Sequence, residues 1–141
     1  MTEFFDTSVL VAAFWGGHPQ HESSLALVSE AHPGKSSCGL HTLAEVYSVM
    51  TSLPVKNAVP PDQAILFVQE VRQRMTVMAI GEADYYETLL SASERGFAGG
   101  RIYDALLLRC AAKSGAEVIY TWNLKHFRAI APEMADRIRT P

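Results

Sequence analysis

The sequence predicts an α/β protein: a three-layer α/β/α sandwich around a short, mainly parallel sheet, built as a single domain over residues 1–141. Three observations carry that expectation. Short runs rich in β-branched and aromatic residues alternate with longer segments of helical spacing, the order that joins parallel strands through helical crossovers. Proline and glycine fall between these segments rather than within them. A chain of 141 residues, 48% of them hydrophobic, can also bury one core without disulfides or a structural metal.

The elements follow in order. Residues 3–6 read as a strand ending on Asp6, and helical spacing covers 8–16 and 19–31. Pro33 and Gly34 mark a turn into a weaker strand near Lys35 to Cys38. A helix over 40–52 carries Glu45 and is closed by Pro54. Pro60 and Pro61 precede Asp62 and open a helix over 61–74, because proline in a first turn lacks an N–H that would have no helical partner anyway. Residues 75–80 form a strand, Gly81 separates it from a helix over 82–95, and Gly96 to Gly100 is the clearest internal loop, expected to be mobile. A helix over 102–114 stops at Gly115, and residues 117–122 give the last strand. There is no internal repeat or low-complexity tract.

Composition narrows the function classes. Twelve Lys and Arg against 15 Asp and Glu give a net charge of −3, which excludes a broadly basic nucleic-acid coat and restricts any RNA contact to a local patch. Cys38 and Cys110 are too few for a disulfide framework, and Cys110 lies in an apolar run with Leu106, Leu107, Leu108 and Ala111. The N-terminus has no basic leader-like segment, and no uncharged apolar run approaches the roughly 18 residues needed to span a bilayer. A cytoplasmic protein without membrane contact is expected.

Three carboxylates stand alone in apolar surroundings. Asp6 is the only charge between Glu3 and His18, Glu45 the only formal charge between Lys35 and Lys56, and Asp104 the only one between Arg101 and Arg109. Each has an ordinary explanation by itself: Asp6 as a helix N-cap, Asp104 in a first helical turn favoured by the macrodipole, Glu45 as a solvent-facing helix residue. Together they suggest more. Carboxylates near a core are costly unless compensated, and few basic residues lie nearby in sequence. The carboxyl edge of a parallel sheet is where ligands collect; Asp6 falls there, and helices starting near residues 40 and 102 can deliver the other two acids. Hard oxygen donors suit Mg2+ or Mn2+ rather than zinc.

Four segments, taken in register, resemble a PIN domain: Phe5, Asp6, Thr7, Ser8, Val9, Leu10; then Thr42, Leu43, Ala44, Glu45, Val46, Tyr47; then Ile102, Tyr103, Asp104, Ala105, Leu106; and Tyr120, Thr121, Trp122, Asn123, Leu124, Lys125, His126, Phe127. The likeness is strongest to VapC-type toxins of bacterial toxin–antitoxin pairs and spans nearly the whole chain. It implies a Mg2+-dependent endoribonuclease, with Mn2+ as substitute, that forms a homodimer and is held inactive by an antitoxin. Asp6, Glu45 and Asp104 match the family's acidic, metal-holding positions, and Ser8 or Thr7 the hydroxyl beside the first acid. The fourth position, often Asp in the family, falls on Asn123. An amide brings no negative charge, so this position leaves open whether one metal or two are held, and Asn123 reads equally as a group orienting water or a ligand carboxylate.

Other features carry less. His18 and His21 lack the His-Glu-x-x-His zinc pattern, and Phe97 to Gly100 lacks both a dinucleotide fingerprint and a P-loop lysine. Glu82, Asp84 and Glu87 read as a solvated face near a helix start. Arg101, Lys125, His126 and Arg128 flank the acids and are candidates for phosphate contact. Ser8 reads as a positioning group rather than a nucleophile, since no activating base accompanies it. Large apolar residues at Ile65, Phe67, Val68, Val71, Tyr85, Tyr86, Leu89 and Leu90 exceed what one small core needs, in keeping with a dimer. The alternative function is a PIN-like binding module, weakened catalytically by Asn123 and acting through a protein partner. Small-molecule phosphatase chemistry ranks below both, because Thr7 and Ser8 stand where a paired acid would follow Asp6.

Overall fold

A computed structural model describes every residue of the chain except 55 and 57. Five strands, β1 (Glu3–Phe5), β2 (Ser36–Gly39), β3 (Thr76–Met78), β4 (Val118–Tyr120) and β5 (Ile138–Arg139), form one sheet in the order β3-β2-β1-β4-β5. Each pairing in it is parallel. Among the described residues seven α-helices flank it: α1 (Thr7–Phe14), α2 (His21–Ser29), α3 (Leu40–Thr51), α4 (Pro61–Arg74), α5 (Glu82–Glu94), α6 (Arg101–Ser114) and α7 (Leu124–Ile130).

The central strand shows why three layers form. Successive side chains on a strand point to opposite faces, so Phe4 and Phe5, both fully buried, serve different cores. Phe5 joins Val9 and Leu10 of α1, Val28 of α2, Val46 and Met50 of α3, and Val68 and Val71 of α4. Phe4 joins Leu107, Leu108 and Cys110 of α6, Ile119 of β4, and Phe127 and Ile130 of α7. Each fully buried side chain of this size contributes about 1.5–3 kcal/mol relative to an exposed one.

Helix ends match the expected punctuation to within a few residues. Pro61 occupies the first turn of α4, and Arg72 and Arg74 sit in its last turn, where positive charge complements the helix dipole. Gly115 ends α6 with φ 70°, a left-handed conformation that a Cβ would disfavour. Gly39, at the end of β2, serves close approach: a Cβ there would come within 2.6 Å of Leu107 Cδ1 on α6.

Two differences from the expectation concern the C-terminal segment and the apolar helices. Residues 124–139 carry α7, a 3-10 helix (Pro132–Arg137) and β5, none of which the pattern announces. Only Phe127 and Ile130 of α7 are buried, and β5 is two residues long, so neither has the length for a periodicity to register. On α4, Val68 and Val71 belong to the core and Phe67 packs against it, so they are not spare apolar surface; Ile65 and Leu66 are exposed instead.

The topology fixes where a site can lie. From β1 the chain moves outward through β2 to β3, then crosses to the other side of β1 for β4 and β5. The strand order reverses at β1, and such a switch point leaves a crevice beyond the carboxyl ends of its strands. Asp6 directly follows β1.

Candidate active site

Asp6 leaves β1 into α1 and is almost fully buried. It occupies the N-cap position of α1 but makes no full side-chain capping bond. Its Oδ2 instead accepts two hydroxyl protons, from Ser8 Oγ at 2.6 Å and from Thr121 Oγ1 at 2.7 Å. Both hydroxyls are themselves held: the Trp122 N–H donates to Ser8 Oγ at 3.0 Å, and the Asn123 N–H donates to Thr121 Oγ1 at 2.9 Å. Because β1 and β4 are neighbours, with Phe5 opposite Tyr120, the strand end carrying Thr121 meets the strand end carrying Asp6. Burial pushes the Asp6 carboxyl above its ordinary range. The Ser8 and Thr121 hydroxyls, and more weakly the Thr7 and Ser8 backbone N–H groups, pull it back.

Glu45 reaches the same edge from α3 and is half-buried. Thr7 Oγ1 donates to its Oε1 at 3.1 Å and also lies 3.0 Å from the buried Thr42 Oγ1. The consecutive hydroxyl residues Thr7 and Ser8 thus hold two different acids. Burial raises the Glu45 carboxyl most, the Thr7 hydrogen bond and the nearby His41 oppose this, and Asp6 raises it further.

Asp104 lies in the first turn of α6, half-buried. Its carboxyl is pushed up to about 6 by burial, then by the charges of Asp6 and Glu45, while His126 and Arg101 pull it down. The structure therefore brings Asp6, Glu45 and Asp104 within electrostatic reach of one another. Among the described residues none of the three forms a salt bridge.

The chemistry of the donor set suits a divalent cation. Three neighbouring carboxylates that form no salt bridge among the described residues fit a hard cation in charge and in oxygen chemistry. Among the described residues, however, no three His, Cys, Asp or Glu side chains stand as a ready-made metal cage. Mg2+ does not require such a cage, since it is commonly bound by one or two carboxylates while keeping several waters.

The remaining sequence candidates have other placements. Asn123 stands exposed at the N-cap position of α7 without a side-chain capping bond, and its backbone, not its amide, joins the Asp6 network. His18 Nδ1 accepts the Gln20 N–H and His21 Nδ1 pairs with the Ala12 carbonyl, so both rings serve the backbone of the α1–α2 connection. Asp84 and Glu87 face Arg109 at 2.9 and 3.7 Å on a partly solvated surface. In the loop before α6, Phe97 is anchored between the Arg95 and Arg101 guanidinium groups, 4.4 and 4.1 Å from its ring centre. Thr121 and Thr42 are the residues that sequence reasoning left unassigned. Thr121 does lie inside one of the four family-like segments, but a threonine after a strand is ordinary until that strand is known to lie beside β1.

Fold and site together have counterparts among known proteins. The PIN domain family matches residues 4–131. Ribonuclease VapC27 of Mycobacterium tuberculosis is 32% identical over 113 residues, covering 80% of this chain and 79% of that protein. The crystal structure of VapC20 from the same species, a Sarcin-Ricin loop cleaving toxin, superposes with a TM-score of 0.72 at 16% identity, covering 91% of this chain and 95% of that one. VapBC2 from Rickettsia felis, bound to a DNA fragment from its promoter, superposes with a TM-score of 0.64 at 19% identity, covering 99% and 98%. An α/β/α protein with acids at its sheet switch point, the chain belongs to the PIN-domain family and, within it, to the VapC group.

Proposed function

We propose that the chain is a metal-dependent endoribonuclease that hydrolyses RNA phosphodiester bonds and serves as the toxin of a toxin–antitoxin pair. The observation that carries this reading is the set of three carboxylates, Asp6, Glu45 and Asp104, at one sheet edge without a salt bridge among the described residues, all raised by burial, Glu45 further by Asp6 and Asp104 further by both. Its likeness to a ribonuclease, VapC27, supports the activity, and the likeness to VapBC2 supports a protein partner.

Asp6, Glu45 and Asp104 would hold Mg2+, or Mn2+ in its place, and the bound ion would supply positive charge for a phosphate and lower the pKa of an attacking water. The chain's own residues set the stage. Ser8 and Thr121 fix Asp6 by donating to its Oδ2, leaving the rest of the carboxylate for a ligand. Thr7 orients Glu45. Arg101 and His126 bring positive charge beside Asp104, where the phosphate backbone would approach an otherwise acidic cleft. Asn123 contributes no charge, and its amide is available to orient a water or a phosphate oxygen.

The test is cleavage of RNA with and without metal. EDTA should abolish cleavage, Mn2+ should restore it, and Asp104→Asn should reduce the restored rate by orders of magnitude while the protein stays folded. Cleavage at the wild-type rate by Asp104→Asn would refute the assignment.

A further inference from the structure

We infer that a cavity beside the acids takes one unpaired base of the RNA next to the cleaved linkage, gripping it by extending the stack that His41 and Tyr103 already make. The inference rests on the ribonuclease reading above and adds where the substrate is held. The cavity, about 220 Å3, opens at the carboxyl ends of β2 and β3, between Gly39 and His41 on one side, Ile80 and Tyr85 on another, and Tyr103 and Leu106 of α6. The Gly39 close approach belongs to the same place, since Leu107 also lines the cavity.

Three features select a nucleobase as occupant. The His41 and Tyr103 rings are stacked, with centroids 5.3 Å apart and planes 7° from parallel, and Tyr103 is 51% exposed. Exposed flat aromatic faces are the usual platforms for unstacked bases. Second, the platform is continuous with the acids. His41 lies one helical turn before Glu45 on the same face of α3, and its charge acts on that carboxyl. A base seated there leaves its own phosphate beside the carboxylates, which a protein side chain in the same cavity would not do. Third, apart from His41 and the two tyrosine hydroxyls, the cavity is lined by Gly39, Leu40, Ala79, Ile80, Leu106, Leu107 and Cys110. Such a lining grips by stacking and shape rather than by base-edge hydrogen bonds, so the presence of a base matters more than its identity, and the larger purines hold better.

The experiment begins with a randomised single-stranded RNA pool cleaved by wild-type protein in Mn2+, the preferred linkage being read by sequencing product ends. An oligomer carrying that linkage is then made with a single abasic nucleotide at each flanking position in turn. One adjacent abasic position should raise KM about 5- to 100-fold with little change in kcat. Tyr103→Ala should raise KM on the intact oligomer to a similar extent and be insensitive to the abasic site, and Tyr103→Phe, which keeps the ring, should behave as wild type. In wild-type protein, 5-iodouridine at that position should photocrosslink to Tyr103 or His41. If wild-type protein cleaves the pool yet no abasic position changes KM, or crosslinks map elsewhere, the subsite is overturned while the ribonuclease reading stands. The subsite is likewise overturned if Tyr103→Ala cleaves as wild type and loses only binding to a protein partner. Wild-type protein that cuts no RNA in the pool overturns both.

Discussion

At the scale of single residues, the site depends on hydroxyls as much as on acids. Thr121 is fully buried and gives its proton to Asp6, so its loss leaves a buried carboxylate with one hydroxyl donor in place of two. Groups that orient a metal ligand typically cost about 10–100-fold in metal affinity or activity when removed. Thr121→Val, which keeps the shape, should therefore weaken Mn2+ binding about 10-fold or more by calorimetry. Asp104 gives a pH signature. Its folded pKa of about 6 lies above the ordinary 3.8, so folding favours its neutral form. The associated stability is fully present below about 3.8 and is lost as pH rises through about 6. In EDTA, thermal stability should fall between those pH values, and Asp104→Asn should flatten that decline. The effect should be on the order of 1 kcal/mol, because Asp104 is only half-buried and solvent screens it. Metal-supported cleavage should change in the opposite direction, rising with pH over the acid range as Asp104 ionises to take the cation, which itself favours the carboxylate form. An unchanged stability slope in Asp104→Asn would remove Asp104 from the cluster.

At the scale of elements, β1, α3 and α6 deliver the acids, and each was legible because its acid is a lone charge in an apolar run. The sheet's order was not legible. That β4 pairs with β1 is a long-range choice made by two cores at once, and no residue near Thr121 signals it. Hence Asp6 could be read from the sequence while its partner Thr121 could not, and at Asn123 it is the backbone N–H, rather than the amide, that joins the network. The short α7 and β5 escaped because pattern needs length, although Phe127 is among the largest fully buried side chains. Helix ends were clearer, since glycine and proline act locally. The left-handed Gly115 at the end of α6 supplies a direct check: Gly115→Ala should destabilise by about 1–2 kcal/mol in urea unfolding, with no change in metal affinity. Full stability in that variant would mean the turn relaxes.

At the scale of the whole molecule, an acidic protein is proposed to handle a polyanion, so its cation must serve binding as well as chemistry. A second whole-molecule expectation is self-association. Tyr86 and Leu90 lie four apart on α5, and both are exposed, as is Leu89. The protein should sediment as a dimer at micromolar concentration, and Leu89→Asp with Leu90→Asp should make it monomeric; a monomeric wild type would refute this. The central claim, that the carboxylates carry hydrolytic RNA cleavage, is tested most directly by the chemistry of the cut ends. Three carboxylates at this site suit a water nucleophile, whereas attack by the RNA's own 2'-hydroxyl would need no metal held by them. Products formed in Mg2+ should carry a 5'-phosphate and a 3'-hydroxyl, and replacing the 2'-hydroxyl at the cleaved linkage with hydrogen should leave cleavage possible. Cleavage that persists in EDTA and leaves a 2',3'-cyclic phosphate would contradict the claim.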